Sequence, residues 1–183
     1  MPPPNNELAG DYIRVSLSDF HTMKRVAEKA MMQLKSDDYH WRVDGESNSI
    51  AVLIQHLSGN MISRWTDFLT SDGEKETRER DKEFIDEYIE YKKLNEIWNQ
   101  GWVCLFKTLE NLTEPDLSRT VYIRGKSHTV VEAISQSLWH YSTHVGQIIY
   151  IAKHLCSAEW ITLSIPRGKS ADYFRIRQTG PKI

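Results

Sequence analysis

The sequence predicts an all-α protein: a four-helix bundle with a small hairpin before the last helix and an irregular C-terminal tail. Three observations point there. Four segments carry large apolar residues at three- and four-residue steps, which puts them on one face of a helix. Polar, turn-forming stretches such as SDDYHWRVDGES separate these segments. A single stretch, TVYIRGKSHTVV, reads as two short β-prone runs around Arg124-Gly125-Lys126.

The first helix is expected from about Leu17 to Lys35, where Phe20, Met23, Ala27, Ala30, Met31 and Leu34 form the stripe. The second runs from about Ser49 to Thr70, with Ile50, Leu53, Ile54, Leu57 and Met61 on one face. Ser47 and Asn48 are available to cap it, and Ser71-Asp72-Gly73 ends it. The third is expected over about Lys82 to Leu112, from Phe84 and Tyr88 through Trp98 and Trp102 to Leu112. Residues 74–96 hold nine acids and six bases, which reads as a solvated face rather than a binding patch. Pro115 stops this helix. Thr129 followed by Glu132 has capping-box spacing and announces the fourth helix, about Val130 to Cys156.

Length and composition bound the function. At 183 residues the chain is one domain's worth, read as a single domain over 1–183. Residues 1–10 are expected to be a frayed leader. The tail, 157–183, is expected to be irregular but packed on the bundle, because Trp160, Ile161, Leu163, Ile165, Tyr173 and Phe174 are too apolar for solvent. Lys and Arg total 23 against 25 acids, a balance that argues against a broad nucleic-acid-binding face. Two distant cysteines, Cys104 and Cys156, fit a reducing compartment better than a disulfide scaffold. No apolar run approaches the roughly 18 residues of a membrane span. The first residues, MPPPNNELAG, lack the pattern of a signal peptide. The expectation is a cytoplasmic protein with neither nucleic acid nor membrane as partner.

The histidines carry the chemistry. His140 and His144 are one helical turn apart, offset by about 40° and about 6 Å along the axis, so both rings reach one point. Imidazole ligates zinc, nickel, copper or iron. On a helical wheel both fall at the edge of the arc made by Ile134, Leu138, Val145, Ile148 and Ala152, with Gln136 and Gln147 just beyond. His56 sits likewise at the border of the Leu53–Leu57 stripe, on the side shared with Asn60. In a bundle such borders can meet, and three His ligands with an open position is a catalytic metal arrangement. The plainer reading, two polar residues at the edge of a packed face, stands beside it. Tyr141, Ser142 and Thr143 lie between the pair, so there is no HExxH glutamate to act as base. His21, His40, His128 and His154 read as solvated or capping residues. Gln147 and Asn60 are the candidates to support the ligands, and Gly146 suggests close approach by a neighbouring helix.

SNSIAVLIQHLSGNMISRW around His56 and HYSTHVGQIIYIAKHL around His140 and His144 resemble the DinB/YfiT-like superfamily of metalloenzyme-type proteins. FLTSDGEK and WITLSIPRGKS resemble a branch of it without an established substrate. The resemblance runs over nearly the whole chain. It implies a DinB/YfiT-type bundle of unusual up-and-down topology and a metal site at His56, His140 and His144, followed by the Gly146-Gln147 signature. It further implies nickel or zinc as the ion and a homodimer. Related activities are thiol S-transferases and isomerases that use a low-molecular-weight thiol with a small electrophilic substrate. Two functions stay open on the sequence. One is a metal-dependent, thiol S-transferase-like enzyme, with Trp41, Trp65 or Trp139 walling an apolar pocket. The other is a non-catalytic, stress-associated metal-binding dimer.

Overall fold

The apolar stripes fold into four long helices, α1 (Asn6–Met31), α2 (Ile50–Trp65), α3 (Tyr91–Glu110) and α4 (Val130–Cys156). A computed structural model describes the backbone of residues 6–179 and the side chains of residues 8–174. A fifth, short helix, α5 (Ser170–Thr179), ends the described chain. The protein is thus an all-α bundle with one hairpin, as its periodicity requires. Helix α2 packs chiefly along α3, and α1 chiefly along α4; direct packing between α2 and α4 is sparser. Phe20, Leu53, Leu57, Trp98, Trp102, Tyr141 and Ile148 are buried where the stripes meet.

Helix α2 is buried on nearly every side because the 66–90 connection folds over the face that α3 leaves open. Ser49 caps it, its hydroxyl accepting from the Val52 N–H at 3.2 Å. The α2–α3 crossing is tight at Gly101, where an added Cβ would stand 2.8 Å from Ser58 Cα. Gly146, expected to mark such an approach, has no atom within 4 Å of an added Cβ. Its neighbourhood is a cleft, so the close-packing reading is corrected and belongs to Gly101.

The hairpin pairs β1 (Thr120–Ile123) with β2 (Lys126–Thr129) in antiparallel register, Ile123 opposite Lys126. Arg124 and Gly125 take φ of 56° and 72°, the left-handed pair that a two-residue type I′ turn demands. Asp72 accepts from the backbone N–H of Arg124 at 2.8 Å and of Gly125 at 2.7 Å, fastening the turn to the 66–90 connection. Helix α4 then starts at the predicted capping box: the Glu132 N–H donates to Thr129 Oγ1, and the Thr129 N–H to Glu132 Oε2.

Four boundaries depart from expectation. Helix α1 begins at Asn6, so residues 6–10 form its first turns instead of a leader; residues 1–5 lie outside those described. Helix α2 stops at Trp65, where Thr66 leaves the helical region and Asp67 takes φ of 48°. Helix α3 begins only at Tyr91, preceded by a tight turn at Arg80–Phe84. Between them Asp86 is held by His40 Nδ1 at 2.7 Å and Ser49 Oγ at 2.6 Å, which keeps this stretch across the bundle and out of a helix. The tail is neither irregular throughout nor packed throughout. It contains α5, and Ile161 and Phe174 are 71% and 59% exposed, while Trp160, Leu163 and Ile165 are half-buried. The chain is pinned there by backbone, Ile161 N–H and C=O both bonding the Gln33 amide, which leaves the Ile161 side chain outward. Residues 180–183 lie outside those described. No described helix is long and apolar enough to cross a membrane.

Candidate metal centre

The sparse α2–α4 seam is where three imidazoles meet. His56 Nε2 lies 3.2 Å from His140 Nε2, which lies 3.1 Å from His144 Nε2. Ligand nitrogens of all three fall within 4.8 Å of one another. Nitrogens held at about 2.0–2.1 Å by one tetrahedral ion stand about 3.3 Å apart, close to the length of the two edges that meet at His140. His56 is buried, deeper than the border position expected of it, and His140 and His144 are half-buried.

Two other groups fix which nitrogens point inward. His56 Nδ1 meets Glu83 Oε2 at 2.9 Å, and His144 Nδ1 meets Gln147 Oε1 at 2.8 Å. Each oxygen accepts a hydrogen bond from the Nδ1–H, which leaves the Nε2 lone pair facing the triangle. His140 Nε2 has at most one proton to share between two such lone pairs. The protein alone therefore leaves the triangle short of positive charge, and a divalent cation fits that deficit. Burial, and then the neighbouring His144 and His56, push the His140 imidazole down to about 3. Burial also holds His144 below its ordinary value, outweighing the Gln147 hydrogen bond. Both rings are neutral near pH 7, the form that ligates.

Glu83 lies in the charge run read as a solvated face, a reading that holds at Glu79, Asp81 and Lys82 but fails at Glu83 and Arg78. The Glu83 side chain is only 11% exposed and that of Arg78 only 4%. Arg78 donates Nε to Glu83 Oε1 and Nη2 to Oε2, both at 2.7 Å, and Nη1 to Glu74. Burial alone would raise the Glu83 carboxyl, but hydrogen bonds from His56 and Arg78 outweigh it and hold the group ionised. Room for this carboxylate exists because residue 59, one turn past His56, is glycine: a Cβ there would overlap Glu83 Oε1. The sequence signal was the apolar pair Phe84-Ile85 set inside the charges, and the Phe84 ring does pack on His56.

Asn60 lies one turn past His56 on α2 and is bonded to the core rather than to an imidazole. Its Oδ1 accepts from Tyr141 OH at 2.9 Å, and that hydroxyl accepts from Trp65 Nε1 at 3.1 Å. Of the other histidines, His40 is half-buried against Asp86, correcting its solvated reading. His21 stacks on Phe106, and His154 lies over Trp41 in the last turn of α4.

Two clefts flank the triangle. One, about 650 Å³, is lined by Trp41, Gly146, Gln147, Tyr150, Ile151 and His154. The other, about 340 Å³, touches the imidazoles directly at His56 and His140, with Asn60, Arg64, Arg124 and Trp139 around it. Trp41 and Trp139 thus border open space, whereas Trp65 is buried in the core.

Fold and site together define a class: a helical bundle whose seam carries a three-histidine cage able to hold a metal ion, beside solvent-accessible clefts. Within it, the chain belongs to the family described as "Protein of unknown function (DUF1572)", whose model matches residues 7–169. No curated protein and no solved structure matches it.

Proposed function

We propose that this protein is a DinB-like, divalent-metal-binding enzyme, with nickel or zinc held by His56, His140 and His144 and a reaction of the thiol S-transferase type. The observation that carries the reading is the imidazole triangle itself, two of its rings oriented by Glu83 and Gln147 so that the lone pairs converge. A bound divalent ion lowers the proton affinity of a thiol placed beside it and so supplies a nucleophile at neutral pH. The chain's own residues do the rest. Glu83 and Gln147 hold the ring orientations, and Asn60, fixed by Tyr141, braces the floor of the cleft. Trp41 and Tyr150 offer apolar walls for the body of a small electrophile next to Gln147.

An open cleft at His56 and His140 supports catalysis over a purely structural ion, which would be closed off by a fourth side chain. The second reading, a non-catalytic metal-binding module, draws on Trp139 and Tyr150, 72% and 75% exposed and about three turns apart on α4. The same pair supports the homodimer expectation, the near-even charge balance weighs against a nucleic-acid partner, and the two free cysteines, Cys104 and Cys156, support a reducing, cytoplasmic location. Elemental analysis of tag-free protein tests the centre: one nickel or zinc per chain is expected, and less than a tenth of that after metal supplementation refutes it. A screen of low-molecular-weight thiols against small electrophiles, with and without metal, then separates enzyme from module.

A further inference from the structure

Arg64 makes no salt bridge among the described residues. It is 9% exposed, its Nε is buried without a hydrogen-bond partner, and no carboxylate among the described residues pairs with its guanidinium. The acids nearby are engaged elsewhere. Glu83 is taken by Arg78 and His56, and Glu74 by Arg78 and Arg124. Asp72 spends its oxygens on backbone N–H groups, those of Arg124 and Gly125 among them. A buried charge left unpaired is costly, and one retained in a folded protein calls for a reason, a bound ion or ligand among them. Burial accordingly draws the Arg64 guanidinium below its ordinary proton affinity.

The position of Arg64 says where that partner sits. His56, Asn60 and Arg64 follow one another at four-residue steps on α2, so they share one face, and all three line the same cleft. The row runs from imidazole to amide to guanidinium over about 12 Å. Because Asn60 Oδ1 is occupied by Tyr141, its amide N–H groups are what it has left to offer. Arg80 and Arg124 stand at the rim of the same cleft, adding positive potential, and Ile123 of the hairpin closes one side.

We propose that this cleft binds the oxyanion group, a carboxylate or a phosphate, of a small anionic substrate, gripped by Arg64 and Asn60 beside the three-histidine centre. The planar guanidinium fork suits either group through paired hydrogen bonds. The inference rests on the metal-centre reading for its place in a reaction, but the grip itself belongs to Arg64.

The test is calorimetric titration of the full-length, metal-loaded protein with inorganic phosphate and with malonate, on wild type, Arg64→Lys and Arg64→Met. Exposed Arg14→Met, outside the cleft, serves as control. Wild type and the Arg14 variant are expected to bind at least one probe at millimolar concentration or below. Arg64→Met should weaken that binding at least tenfold, and Arg64→Lys less. The probe bound more tightly assigns phosphate or carboxylate as the group. Should Arg64→Met fail to fold, the wild-type Arg64 Nε–H resonance gives the answer, because it shifts on adding the bound probe if the guanidinium grips it. No binding of either probe, equal affinity in Arg64→Met, or an unmoved Nε–H signal overturns the proposal. Failure of the wild type to take up metal overturns the metal-centre reading separately. The anion titrations are then read on the metal-free protein, where they stand or fall with Arg64.

Discussion

Replacing Glu83 tests whether the centre is built by more than its three ligands. Glu83 Oε2 holds the His56 Nδ1 proton at 2.9 Å while accepting from Arg78 Nη2 at 2.7 Å, and Oε1 accepts from Arg78 Nε at 2.7 Å. In Glu83→Gln the amide oxygen can keep the His56 side, but its NH2 then faces the Arg78 Nε–H, donor against donor. A hydrogen bond to an ionised acceptor contributes about 1 kcal/mol more than one to a neutral amide. Losing an outer-sphere carboxylate from a ligating imidazole weakens metal affinity by about 10–100-fold. Glu83→Gln, which retains one acceptor, should fall at about tenfold, and Glu83→Ala, which retains none, nearer 100-fold. Competition against a chromophoric chelator reads both, with exposed Glu79→Gln as control. Thermal unfolding of the metal-free variants shows separately how much stability the Arg78 pairing supplied. If Glu83→Ala binds metal within twofold of wild type, the carboxylate does not orient His56 and the second layer of the site is misassigned.

Removing a ligand should act more strongly: His144→Ala is expected to lower copurifying metal several-fold, and full stoichiometry in the purified variant would count against the triangle. Gly101→Ala should destabilise by about 1–3 kcal/mol, since its Cβ meets Ser58 backbone at 2.8 Å. Gly146→Ala, with open space around it, should stabilise by up to about 1 kcal/mol; denaturant midpoints with unchanged slopes decide both. Burial raises the Asp86 carboxyl, but hydrogen bonds from Ser49, His40 and the Tyr88 N–H outweigh it and leave it below its ordinary value. A depressed carboxyl stabilises fully above its unfolded value, about 3.9, and that stability is lost as pH falls through the folded value. Asp86→Asn should therefore be less stable than wild type at pH 7, the gap closing below about pH 4; a gap of constant size would contradict the linkage.

The parts of the molecule that show in the sequence are those fixed by local chemistry. Helix α4 was legible to the residue, because the Thr129–Glu132 capping box sets its start and the stripe to Ala152 is unbroken. The His56, His140 and His144 triangle was legible because two of its members share one helix turn and the third sits at the edge of an apolar stripe. What did not show depends on contacts far along the chain. Phe84 and Tyr88 keep helical spacing ahead of α3, yet Asp86 is tied to Ser49 and His40 on the other side of the connection, and those bonds override the periodicity. Glu83 and Arg78 look like any solvated acid and base until the 66–90 segment is folded over α2. Arg64 is concealed in a different way: an arginine near the end of an amphipathic helix is ordinarily at the surface, and only the hairpin and Gly73 packed around it reveal that this one is not.

The pairing of the helices gives the metal centre a mechanical part as well. With α2 married to α3 and α1 to α4, the joint between the pairs is the thinnest in the bundle, and His56 faces His140 across it from 84 residues away in sequence. An ion held there would act as a clasp on that joint: its binding free energy would be added where native contacts are fewest, so the two pairs would lose their freedom to part independently. Any molecule that drew such an ion away from His56, His140 or His144 would loosen the clasp at the same moment. With an ion bound, what occupies the cleft would be coupled to how readily the two halves open, without a hinge or a lid.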